Sequence, residues 1–182
     1  MMRKLRTQKR PGEYNKLSDN YETPSYAMEL LLQFVPRDKI LWDPFFCKGT
    51  ATDVFARLGF TAIHVDRDFF TYEPCLYEII VTNPPYSIKN EVLTRLILIG
   101  RPFAVLMPMS TMGTSYFYKL MKDRPYQVII PKQRFNFLRA DGKSNKNKAC
   151  TFVTVWITVG LEEFLGRDRQ VLHLDAAHLR GR

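Results

Sequence analysis

Cysteine is scarce and poorly placed for a structural role. Cys47, Cys75 and Cys150 are three in number and far apart, with no CxxC pair. That excludes a disulfide framework and a thiolate zinc site, and leaves reduced thiols as expected in a cytosolic or nuclear protein. The histidines, His64, His173 and His178, lack metal-ligand spacing, so no metal is expected and His64, on a strand, reads as structural. No apolar run approaches the roughly 20 residues a membrane helix needs. The opening MMRKLRTQKR is basic but leads into neither an apolar stretch nor a small-residue cleavage site, so neither export nor a membrane partner is expected. A phosphate loop of the GxxxxGK[ST] type is missing, and no internal repeat is visible.

What is present suits one globular domain: 182 residues, of which 46% are hydrophobic and 25% charged, enough to enclose a core. The net charge of +9 is uneven. Arg3, Lys4, Arg6, Lys9 and Arg10 form one basic stretch. Lys132, Arg134, Arg139, Lys143, Lys146 and Lys148, offset by Asp141, form another. Each carries a net +5, so the remainder carries −1. Two basic patches on a neutral body suit phosphate contacts as well as they suit solvated surface.

Residues 1–20 are polar and read as a basic arm, flexible or ordered on a partner. The domain spans 21–160. A helix with Pro24 at its start precedes the apolar strand KILWDPF; GTATDVFARLG reads as a helix closed by Gly59. TAIHVD and EIIVTN are further strands, KNEVLTRLILIG a helix, PFAVLMP a strand, TSYFYKLMK a helix and YQVIIP a strand. TFVTVWITV alternates strictly, which suits an edge or antiparallel strand. Residues 161–182 have weak helical spacing and read as a tail. Strands alternating with helices predict a doubly wound α/β domain, mostly parallel, with an antiparallel strand near the C-terminus. Ligands of such sheets bind beyond the carboxyl ends of the strands. Asp43, Asp66 and Asn83 each fall at such an end.

Val81 to Ser87, VTNPPYS, ends a buried strand with two prolines and an aromatic. Neither Pro84 nor Pro85 has a backbone N–H, so a stiff rim of acceptors remains: the Asn83 amide oxygen and the Pro84 carbonyl. Two oriented acceptors on the N–H bonds of an aromatic amine favour its pyramidal, nucleophilic form, and Tyr86 offers a stacking face for an extruded base.

Asn83-Pro84-Pro85-Tyr86 resembles the NPP[YF] catalytic motif of the S-adenosylmethionine (AdoMet)-dependent amino-methyltransferases, the family that includes DNA adenine methylases. The resemblance implies a Rossmann-like methyltransferase fold, AdoMet as cofactor and adenine N6 in nucleic acid as target, DNA ahead of RNA. DPFFCKGT, Asp43 to Thr50, resembles the family's cofactor loop; Asp43 would meet the AdoMet ammonium, with Phe45, Gly49 and Thr50 beside it and Cys47 where a glycine is usual. Asp66 matches the acid that binds ribose hydroxyls. RDFFTYEP resembles the segment where Asp68 meets the cofactor's adenine amine and Phe69 its ring, but follows so closely that either acid suits the ribose. DNYETP resembles the element that closes over the methionine carboxylate, with Tyr21, Thr23 and Pro24 near AdoMet, and equally suits a helix start. In QRFNF, Phe135 or Phe137 would pack on the extruded base, the other being core. Lys132, Arg134, Lys143, Lys146 and Lys148 would contact phosphate.

Almost nothing follows the motifs that could read base edges, so low sequence specificity is expected, or a protein partner that supplies it. Alternatives are a non-catalytic nucleic-acid-binding subunit, and N4-cytosine, RNA adenine or protein-glutamine methylation.

Overall fold

Alternate residues along each central strand serve opposite faces of one sheet, and this builds two cores. In the computed structural model, which describes residues 21–46, 50–139 and 153–179, Ile79 and Val81 lie in one core and Ile80 in the other. Ala104 and Leu106 likewise oppose Phe103, Val105 and Met107, as a two-residue period requires. The elements run β1 (Tyr21–Glu22), α1 (Ser25–Leu32), β2 (Ile40–Trp42), α2 (Thr50–Arg57), β3 (Thr61–Ile63) and β4 (Ile79–Thr82). Then come α3 (Lys89–Ile99), β5 (Phe103–Pro108), α4 (Ser115–Met121), β6 (Gln127–Pro131), β7 (Leu138–Arg139), β8 (Thr154–Val159), α5 (Glu162–Leu165) and β9 (Val171–Leu174).

Seven strands form one sheet in the order β3-β2-β4-β5-β8-β6-β9. Leu30, Leu31 and Phe55 of α1 and α2 pack into one core, while Val92, Leu93, Leu96, Phe117 and Met121 of α3 and α4 pack into the other. The sheet is thus covered on both faces, the Rossmann-like α/β arrangement the sequence predicts. Gly59 and Gly100 follow α2 and α3 at φ of 76° and 71°, the left-handed turn that ends a helix without a Cβ clash.

Two features depart from expectation. β8 is antiparallel, to both β5 and β6, but it is not an edge. Its threonines are buried, Thr154 and Thr158 at 1% exposure, and the Thr158 hydroxyl donates to the Gln127 carbonyl at 3.4 Å. A strand threonine such as Thr158 can therefore be internal where its hydroxyl finds a backbone acceptor, whereas the buried Thr154 hydroxyl has no partner among the described residues. Trp156, fully buried, donates its indole N–H to the Ala27 carbonyl of α1 at 2.9 Å. Second, the segment read as a tail contributes α5 and then β9, which pairs in parallel with β6 and extends the sheet. As expected from reading TAIHVD and EIIVTN with no helix between them, residues 64–78 between β3 and β4 hold none, nor any strand, and β3 is an edge of the sheet among the described residues.

Candidate active site

β2 lies between β3, which follows it in the chain, and β4. The chain therefore winds to opposite sides of β2, and a crevice opens where the carboxyl ends of β2 and β4 meet. Asp43 follows β2 and Asn83 follows β4. Across the crevice the Thr82 hydroxyl donates to Asp43 Oδ1 at 2.6 Å. The Phe45 amide donates to the same oxygen at 3.3 Å, and His64 Nδ1 lies 3.4 Å from Oδ2. Burial pushes the Asp43 carboxyl above its ordinary value, and His64, the Thr82 hydroxyl and the Phe45 amide draw it part of the way back.

His64 clasps the chain that leaves β2. Its Nδ1 sits 3.2 Å from the Asp43 carbonyl, its Nε2 3.1 Å from the Phe46 carbonyl, and its ring lies 4.9 Å from that of Phe46. Both ring nitrogens thus face oxygen atoms.

Asn83 is oriented from a distant part of the chain. Its Nδ2 donates to the Thr23 hydroxyl at 2.8 Å, while its Oδ1 is buried without a partner among the described residues. A buried acceptor left unpaired costs roughly 1–3 kcal/mol, so this oxygen is suited to a donor brought by a ligand. Thr23 is held by its neighbours: β1 pairs antiparallel with β7, Tyr21 opposite Arg139, and Pro24 caps α1. In the prolines, the Pro85 carbonyl accepts the Ile88 amide at 3.2 Å, and the Pro84 carbonyl has no partner among the described residues. Tyr86 is half-buried and opens a 3-10 turn over Tyr86–Ile88.

Glu22, Thr23, Asp43, Phe45, His64 and Asn83 line one cleft. Two carboxylates and the unpaired amide oxygen make it rich in acceptors, a donor set that fits a cationic ligand bearing N–H groups. Glu22, Thr82 and His64 are absent from the sequence-predicted site. The available signal was position: Thr82 abuts Asn83, and His64 lies two residues from Asp66 at a strand end.

The remaining predicted residues divide. Asp66 is exposed. Asp68 closes a turn, its Oδ1 accepting the Phe70 amide at 2.9 Å and its carbonyl accepting Tyr72 N at 2.9 Å. Phe69 is buried at 2% exposure against Trp42 and Phe45, centroids 5.7 and 5.2 Å apart; it is core, and Phe45 rests on it. Of Phe135 and Phe137, one of which was expected to touch a base and the other to be core, Phe135 is core, 1% exposed and 5.7 Å from the Tyr26 ring, whereas Phe137 is half-buried. Lys132 is in an exposed ion pair, its Nζ 2.8 Å from Asp175, which holds its ammonium above the ordinary range through that hydrogen bond. Arg134 is exposed. Thr50 begins α2. Gly49, Lys143, Lys146, Lys148 and the 1–20 arm lie outside the described residues. No cluster of metal-ligating side chains occurs among the described residues, nor any helix long and apolar enough to cross a membrane.

No protein-family model matches the chain, and no curated protein matches it. Among solved structures it is similar to a dimethyladenosine transferase from Plasmodium falciparum, at 10% identity and a TM-score of 0.48, over 75% of this chain and 62% of that one. It is also similar to a protein assigned as a class I S-adenosylmethionine-dependent methyltransferase from Listeria monocytogenes, at 14% identity and a TM-score of 0.40, over 83% and 62%. The chain spans less than two thirds of the length of either. At these identities the activity has to be argued from the residues.

Proposed function

We propose that this chain is an AdoMet-dependent methyltransferase acting on the N6 amine of adenine in nucleic acid, DNA ahead of RNA, with little sequence preference of its own. The observation that carries the reading is the Asn83 amide: its nitrogen is held by Thr23 and its oxygen is buried and unpaired. Beside it the Pro84 carbonyl is a second unused acceptor. Two acceptors set at one corner can hold the two N–H bonds of an amine and stabilise charge as it develops, each contributing on the order of 3 kcal/mol by analogy with oxyanion-hole donors. Tyr86, half-buried at the same corner, is the stacking partner for a base lifted from its helix, and Phe137 is the aromatic of QRFNF left to meet its other face.

AdoMet, when bound, supplies an electrophilic methyl group on a sulfonium. Asp43, Phe45 and Thr23 are the residues that would hold it, with Tyr21, Pro24, Gly49 and Thr50 along the same two segments. Asp66 is the better candidate for the ribose, because the Asp68 carboxylate already accepts a turn amide. The transfer needs alignment more than a strong base, since the amine sheds its proton as or after it attacks.

Nucleic acid is supported by charge and register. Tyr21 and Arg139 are paired residues of β1 and β7; the basic stretch 3–10 precedes the first, and Lys143, Lys146 and Lys148 follow the second. Tyr21 and Arg139, the described residues nearest these stretches in the chain, thus lie together beside Glu22 and Thr23 of the cleft. Arg134 is exposed and stays a phosphate candidate.

A non-catalytic subunit is the second reading, favoured by the Asp43 carboxylate, which already has Thr82, Phe45 and His64 around it. Calorimetry separates the two. The enzyme binds AdoMet and loses that binding in Asp43→Ala; a scaffold binds none.

A further inference from the structure

Thr82 is the last residue of β4 and is fully buried. Valine has nearly the same shape and suits an enclosed strand position at least as well. A hydroxyl taken out of water costs free energy unless it is bonded, so the Thr82 hydroxyl is accounted for by the bond it makes. It crosses from β4 to the end of β2 and donates to Asp43 Oδ1 at 2.6 Å. Pairing of Leu41 with Ile79 and of Trp42 with Ile80 holds those two strand ends together. The Phe45 amide adds a longer bond to the same oxygen, 3.3 Å. Oδ2 accepts no hydrogen bond among the described residues; His64 Nδ1, 3.4 Å away, is bonded to the Asp43 carbonyl instead.

The carboxylate is thus divided, one oxygen tied to the protein and one not. We propose that Thr82 is a positioning residue for the cofactor: by tying Oδ1 to β4 it fixes the Asp43 carboxylate and leaves Oδ2 for the ammonium of the ligand's amino-acid part. An untied carboxylate would turn about its Cβ–Cγ bond and would have to give up that freedom on binding. A donor on Oδ1 also favours the ionised form, which an ammonium needs. Thr82 adjoins Asn83, so one strand end carries both the hydroxyl that aims the acid and the amide that meets the amine. This inference rests on the reading of the cleft as the AdoMet pocket.

Calorimetry on the full chain tests it with two ligands: S-adenosylhomocysteine carries the ammonium, and 5′-methylthioadenosine lacks the amino-acid part that bears it. Thr82→Val is expected to weaken S-adenosylhomocysteine about tenfold, the scale of a hydrogen bond to a charged group, and to leave 5′-methylthioadenosine within about twofold. Thr82→Ser, which keeps the hydroxyl, is expected to bind both as the parent does. The hydroxyl is also one of the groups that draw the raised Asp43 carboxyl back down, so the loss of S-adenosylhomocysteine affinity toward acid pH is expected to begin at a higher pH in Thr82→Val. Glu22 and His64, the other titratable groups lining the cleft, are common to parent and variants and cancel in that comparison. Equal weakening of both ligands marks a structural role and overturns the proposal. So does unchanged S-adenosylhomocysteine binding in a folded Thr82→Val, or a Thr82→Ser as weak as Thr82→Val. Should Thr82→Val not fold, Thr82→Cys, whose thiol is a weak donor, is expected to show the same split between ligands at smaller size, and no split overturns the proposal. Where the parent binds S-adenosylhomocysteine alone, the pH profile decides, and an unmoved profile overturns the proposal. Each of these results, on a parent that binds, defeats this inference alone. Failure of the parent to bind either ligand defeats the reading of the pocket, and this inference with it.

Discussion

Two neighbouring strand ends, one at β4 and one at β3, met the same expectation with different outcomes. Beyond β4 the expected residues converge: Asn83 is oriented by Thr23 and shares a cleft with Asp43. Beyond β3 they scatter: Asp66 is exposed, Asp68 caps a turn and Phe69 is buried. The difference is one of support. The end of β4 has β2 on one side and β5 on the other, so sheet pairing fixes where its first loop residue stands. β3 is an edge, followed by fifteen residues without helix or strand, and its loop must hold itself together with its own carboxylates and rings.

Substitutions can widen or close that contrast. The largest effect is expected at Asn83: Asn83→Ala lowers the methyl-transfer rate by about a hundredfold or more, as loss of one preorganised contact does, with circular dichroism unchanged. Asp66→Ala should weaken AdoMet binding by about tenfold in calorimetry without moving the melting temperature. Asp68→Ala should do the reverse, destabilising the fold by about 1 kcal/mol in urea titration through loss of its cap, and leaving AdoMet affinity within a fewfold. If both acids behave alike, the division of roles between Asp66 and Asp68 within the loop after β3 is wrong.

A pH experiment sharpens it from the other side. Burial raises the Asp43 carboxyl, so its protonated form is favoured by folding. That contribution is complete below the ordinary value of 3.8 and is lost as pH rises through the raised value in the fold. Asp43→Asn, which cannot ionise, should therefore gain stability relative to the parent as melting is followed from acid to neutral pH. The smallest effect is expected at Lys132: since it faces Asp175, Lys132→Ala should leave the salt dependence of nucleic-acid binding nearly unchanged.

The parts of the fold legible in the sequence are those set by backbone chemistry and by period. Gly59 and Gly100 marked helix ends, and Pro84-Pro85 marked a strand end without donors. Side-chain destination was harder to read. Phe135 and Phe137 are two residues apart with the same chemistry, and only the Tyr26 ring, far off in the chain, decides that the first is core. Lys132 looked like a phosphate contact because its partner Asp175 directly follows a strand, β9, that has weak local signal and forms by adding to β6. His64 was read as structural and on a strand; it follows β3, and its ring nitrogens face two backbone carbonyls. Its place beside Asp43 depends on β2 and β3 being paired, which spacing does not reveal.

The central claim is that the corner at Asn83 and Pro84 grips an adenine amine. Mass spectrometry of nucleosides from DNA and RNA pools, incubated separately with isotope-labelled AdoMet and this protein, tests it most directly. The account predicts label on N6-methyladenine with the parent chain and its loss with Asn83→Ala. Label confined to cytosine or to protein, or label on adenine that survives Asn83→Ala undiminished, would contradict it.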